Sequence, residues 1–176
     1  NCIHAALIDL GYDAKYIELT LYDGLKGMYN FLKEVSGKNN PILFARAINI
    51  GIRKMFLLDD LENILSYYRA HEIHTGDAEK NFNKALDIVD KANSTKELKK
   101  AKKEAFKIMK ETAIDKNREV LKVDVTGEIY LVCDPFSNQN ILRELGKMGV
   151  QTRRSLTISG FIKDAIIPKV FRKNET

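Results

Sequence analysis

Asp134, Ser137 and Asn138 stand within a few residues of one another, directly behind Val125-Thr126-Gly127-Glu128-Ile129-Tyr130. Short polar side chains of these types start helices, and a helix start offers unpaired N–H groups to anions. Gly127 has no Cβ, so a ligand or another backbone segment can approach closely there. Glu128 and Tyr130 add a carboxylate and a phenol on the approach. If Val120 to Tyr130 is a strand, the whole group lies beyond its carboxyl end, where parallel α/β sheets hold ligands. The candidate ligand-binding residues are therefore Gly127, Glu128, Tyr130, Ser137 and Asn138. The same spacing also allows a plainer reading. Glu128 then caps or pairs locally, and Asp134 or Ser137 is only an N-cap. A lone Gly127 is far weaker than a glycine-rich phosphate fingerprint.

The other reactive side chains are sparse. Cys2 and Cys133 are too few for a disulfide scaffold. An iron–sulfur cluster generally takes four ligands, so two cysteines without a Cys-x-x-Cys spacing cannot build one within this chain. Cys133, in a strand-end loop, is the cysteine best placed for a ligand role; otherwise both are ordinary thiols. His71 and His74 could share a helix face with Asp77 nearby, which makes a metal conceivable, but no third ligand stands at a recognised spacing. No Gly-x-Ser-x-Gly, His-Glu-x-x-His or Walker pattern is present.

The elements that must position these residues follow from periodicity. Ile3 to Leu10 reads as an amphipathic helix stopped by Gly11, and Lys15 to Leu21 alternates like a strand. Gly24 to Val35 is helical, Ser36 to Asn40 is a break, and Pro41 can open the next helix. That helix runs to about His71, with Asp59-Asp60 interrupting it or capping a second one. Residues 78–91 and 95–112 predict an antiparallel αα-hairpin, with Phe82, Leu86, Val89, Leu98, Ala105, Ile108 and Met109 turned inward. Val120 to Tyr130 and Val150 to Ile158 read as strands around a short helix from Ile141 to Met148, and a last helix starts at Phe161. Strand, helix, strand implies a parallel pair. The expected fold is α/β, a Rossmann-like or flavodoxin-like parallel sheet with a helical insertion. Its divisions are residues 1–23, 24–117 and 118–176.

The Gly127 to Ile141 stretch carries a resemblance. Thr126-Gly127-Glu128-Ile129-Tyr130, followed by Asp134-Pro135-Phe136-Ser137-Asn138-Gln139-Asn140-Ile141, resembles the Gly-Glu-Ile-Tyr…Asn-Pro-Phe-x-Asn pattern of CoA protein activase and 2-hydroxyacyl-CoA dehydratase-like proteins. Leu145 to Val150 and Leu7 to Tyr12 are similar to flanking segments of that family. The resemblance implies an acyl-CoA-type ligand and an electron-transfer or activator protein as partners. It also implies a 4Fe–4S cluster in the full-length protein, with none in this chain. The full-length protein would serve ATP-dependent activation, or act as a dehydratase-type lyase; this chain would not be catalytic alone. The family's Cys-Arg-Phe-Gly loop would lie before Asn1, and Asp134 stands where asparagine is common.

Composition limits the alternatives. The chain has 176 residues, 44% hydrophobic and 30% charged, ordinary for one globular domain. It has no apolar run of ~18 residues, so a membrane partner is not expected and the cytoplasm is. The amphipathic pattern begins at once, without a cap, and reads as a piece of a longer protein. The net charge of +5 gathers between Lys91 and Lys122 and between Arg153 and Lys173. Glu97 with Lys100, Lys100 with Glu104, and Lys107 with Glu111 fall where opposite charges meet on a helix. That interleaving favours a solvated face over a phosphate-binding one, so no nucleic acid is expected. The alternative function is a helical interaction module without a small-molecule site.

Overall fold

The computed structural model describes residues 2–12, 24–160 and 163. The chain falls into two units: residues 1–46 with 165–176, and residues 47–164. The strand expected at Lys15 to Leu21 and most of the helix expected from Phe161 lie outside the described residues.

In the first unit, α1 (Cys2–Asp9) ends before Gly11, whose φ of 80° suits glycine. Helix α2 (Gly24–Ser36) follows. Helix α3 (Pro41–His71) opens as its proline suggests. The Asn40 side chain accepts hydrogen bonds from Ile42 N (3.1 Å) and Leu43 N (3.0 Å), capping its first turn. Tyr29 meets Phe44 edge-on at 4.9 Å between centroids.

In the second unit, α3 runs through Asp59-Asp60 without a break. Both carboxylates are used elsewhere: Asp60 pairs with Lys102, and Asp59 accepts from Ser159. Helices α4 (Asp77–Lys91) and α5 (Thr95–Lys110) form the antiparallel hairpin. Asn81, near the start of α4, donates to Thr112, just past the end of α5. Leu57, Leu61 and Leu65 of α3 pack with Phe82, Val89, Leu98, Ala105 and Met109 in one core, with Leu86 partly buried against it. Ser94 caps α5 by accepting from Glu97 N. Gly76 has no side chain to cap α4, so the buried Glu72 carboxylate does it, accepting from Gly76 N and Ala78 N at 2.8 Å each.

Beyond the hairpin the expected fold is overturned. Among the described residues the structure is mostly helical. Its sheet among the described residues is one parallel pair, β1 (Lys122–Val125) with β2 (Gln151–Arg154), in register Lys122↔Gln151 to Val125↔Arg154. This is not a Rossmann-like or flavodoxin-like sheet with a helical insertion. Parallel sheets of that kind are covered on both faces. Here Thr152 is buried, while Asp124 and Arg153 pair across the opposite, solvated face. The long α3 is a wall of the core, not an insertion. The strand expected over Val120 to Tyr130 stops at Val125, because Glu128 starts α6 (Ile129–Cys133). Residues 135–140 are turn, followed by α7 (Ile141–Lys147).

Candidate functional site

A cavity of about 220 Å³ lies in the second unit between α3, the start of α4, the segment from Val132 to Arg143, and β2. Glu62, Ser66 and Arg69 recur at helical spacing, so α3 presents all three on one side. Thr152 and Arg154 are two residues apart on β2 and share the face towards α3.

Ser66 holds the strand. Its hydroxyl donates to Thr152 O and accepts from Thr152 N at 2.9 Å. One residue pair further along, Arg154 makes an ion pair with Glu62. Burial pulls the Arg154 guanidinium below its ordinary pKa, and the Asp59 carboxylate opposes that shift. Arg69 is nine-tenths buried and pairs with Glu79 at 2.5 Å. Another guanidinium nitrogen points to Leu142 O at 3.4 Å. Its Nε has no partner and lies 3.5 Å from where a Cβ of Gly146 would stand. Each of these arginines therefore carries its own glutamate. Arg143, on the cavity wall, is exposed.

The residues singled out from sequence are not brought together. Only Asn138 and Cys133 line the cavity. Glu128 is exposed and caps α6, accepting from Tyr130 N (2.8 Å) and Leu131 N (3.2 Å). Tyr130 is exposed. Gly127 is exposed, and a Cβ there would make ordinary contact with Val132. Ser137 donates from N (2.9 Å) and Oγ (2.5 Å) to Asp134 Oδ2. Those bonds hold the Asp134 carboxyl below its ordinary pKa. The helix start expected at Asp134 to Asn138 is a turn, and its N–H groups are spent inside it. Asn138 N bonds Asp134 O, Gln139 N bonds Phe136 O, and Asn140 N bonds Pro135 O.

Asn138 differs from its neighbours. Its Nδ2 donates to Leu131 O (3.0 Å) and lies 3.3 Å from Val132 O, which fixes its orientation. Its Oδ1 is buried and has no partner. A buried acceptor left unpaired costs about 1–3 kcal/mol.

Cys133 Sγ lies 3.8 Å from Leu156 O. Burial pushes the thiol pKa up, with Asp59 and Glu128 adding to the shift. A thiol held protonated is a poor metal ligand. His71 bonds the Tyr67 carbonyl through Nδ1 at 2.8 Å and stacks on the Tyr67 ring, while His74 is exposed. Among the described residues no three His, Cys, Asp or Glu side chains gather into a group that could hold a metal. They do not fit an iron–sulfur cluster.

Glu62, Ser66, Arg69 and Arg154 were missed. The available signal was the recurrence of Glu62, Ser66 and Arg69 at helical spacing along α3. The strand expected over Val150 to Ile158 places Arg154 near its beginning. Arg154 is in fact the last residue of β2, opposite Val125 at the carboxyl end of β1. Among the described residues, no helix is long and apolar enough to cross a membrane. Compared with known proteins, the chain matches no family model, no curated sequence and no solved structure.

Proposed function

We propose that the chain is a ligand-binding module whose cavity takes the pantetheine end of an acyl-CoA-type ligand. The observation that carries this reading is the cavity wall itself. Leu65, Phe82, Val132 and Leu142 supply apolar surface, and Asn63, Asn138 and Asn140 supply amide groups. Arg69 and Arg154 are already neutralised by Glu79 and Glu62, so the wall favours a neutral, amide-bearing chain over a naked phosphate. A pantetheine arm has methylenes for the apolar surface and an amide N–H for the orphaned Asn138 Oδ1. Arg143, exposed, is left for the ligand's phosphates. Mixed apolar walls with a few placed polar groups are the usual make-up of small-molecule sites. The resemblance to CoA protein activase-type proteins supports the same ligand class.

The test is calorimetric titration with acetyl-CoA, CoA and pantetheine. Asn138→Ala and Arg143→Ala should each weaken acetyl-CoA binding by about tenfold, the worth of ~1.4 kcal/mol. Arg143→Ala should leave pantetheine binding unchanged. Glu128→Ala should leave every affinity unchanged, since Glu128 only caps α6. Absence of binding would favour the second reading, a protein-interaction module. Tyr130, Leu131 and Phe136, all exposed on one short segment, support that second reading.

A further inference from the structure

Helix α5 holds seven lysines and two glutamates, a balance equal to the net +5 of the whole chain. In sequence the two signs interleave. Wound at 3.6 residues per turn, they separate: Lys96, Lys99, Lys100, Lys103, Lys107 and Lys110 fall within an arc of about 100°. Glu97, Glu104 and Glu111 fall along one edge of that arc. Leu98, Ala101, Ala105 and Met109 point the opposite way and are buried in the core. All six lysines of the arc are exposed. Lys102 lies outside it, pairing with Asp60 at 3.0 Å and lying over the Phe106 ring. The Glu97 carboxylate accepts from Asn93 N at 2.8 Å. The result is a lysine row about 21 Å long on a helix anchored through its other face.

We infer that this row is a binding surface for the phosphate backbone of double-stranded nucleic acid, read without regard to sequence. Lysine is a flexible point charge that suits phosphate oxygens, and a basic stripe along a helix is the electrostatic footprint of such contacts. The row has no arginine, asparagine or glutamine for base edges, so it positions without specifying. It has no exposed aromatic ring for stacking, so duplex is favoured over single strands. A protein partner is disfavoured because interface cores are built on aromatic and aliphatic anchors, and lysine is depleted there. A membrane is disfavoured because the apolar face of α5, which would have to enter the lipid, is spent on the core. This departs from the expectation drawn from interleaved carboxylates, and it stands apart from the cavity.

The experiment is fluorescence anisotropy with a labelled DNA duplex of about 20 base pairs, at about 50 and 200 mM salt. The chain should bind at the lower salt and weaken by about a hundredfold at the higher, as for roughly four neutralised phosphates. The triple variant Lys99→Gln, Lys103→Gln, Lys107→Gln keeps helix propensity and should lose at least about tenfold in affinity, with a shallower salt slope. A second variant, Lys100→Gln with Lys110→Gln, should weaken binding in the same direction. Sedimentation with phosphatidylserine vesicles at the same salt should show weaker binding than the duplex. No duplex binding at the lower salt, variants that bind like the parent, or a preference for the vesicles would each overturn the inference.

Discussion

Gly146 lies flush against the stem of Arg69. A Cβ built on Gly146 would overlap Cδ of Arg69 and stand 3.0 Å from its Cγ. The guanidinium beyond that stem is held by Glu79 and reaches Leu142 O, so the stem has little room to yield. In an open helix, Gly→Ala gains about 1 kcal/mol. Here overpacking should reverse the sign, and Gly146→Ala should destabilise the chain by about 1–3 kcal/mol in urea unfolding. In an Arg69→Ala background the same change should be neutral or stabilising. Additive effects of the two changes would show that the contact carries no energy.

Ser66→Ala should destabilise by about 1–3 kcal/mol, because it strips a buried strand N–H of its acceptor. The bond lost is that from Thr152 N, at 2.9 Å. Urea unfolding measures it, and a change under about 0.5 kcal/mol would show that Ser66 does not hold β2.

Glu72→Ala leaves Gly76 N and Ala78 N without the carboxylate that caps α4. Hydrogen bonds to a charged group contribute about 1.5–3 kcal/mol, so the loss should reach that range. Hydrogen exchange should localise it to the first turn of α4. Uniform acceleration across the hairpin would contradict the capping role.

Cys133 has its pKa raised above the ordinary thiol value of 9.0, chiefly by burial. As pH rises through the ordinary value, the unfolded chain gives up its proton first. This group therefore contributes falling stability above that pH, and none of the fall below it. Alkylation of Cys133 by iodoacetamide, read by peptide mapping, should reach its half-maximal rate at a higher pH than in the urea-unfolded chain. A half-maximal pH equal to or below the unfolded one would contradict the burial.

The helical part was legible because local signals agreed with one another. Pro41 opens α3, Ser94 caps α5, and the apolar spacing of α4 and α5 matches the face they bury. The segment after the hairpin was not, because tertiary context decides it. Val123, Val125 and Ile129 are all strand-formers by propensity. The chain nevertheless leaves the strand at Val125, and the Glu128 carboxylate turns it into α6. The site was still less legible. Glu62, Ser66 and Arg69 stand some seventy residues or more before Asn138, and β2 pairing with β1 is what places Thr152 and Arg154 opposite α3. Asn138 was found because its type suits both a turn and a ligand, although the helix start invoked for it is absent.

The cavity of the second unit is proposed to receive a pantetheine chain. Two-dimensional ¹H–¹⁵N correlation spectra recorded while acetyl-CoA is titrated in test it most directly. Saturable shifts are expected at the backbone amides of Ser66, Val132, Asn138, Asn140 and Thr152, with α5 unmoved. Shifts confined to α5, or a spectrum unchanged by saturating acetyl-CoA, would contradict it.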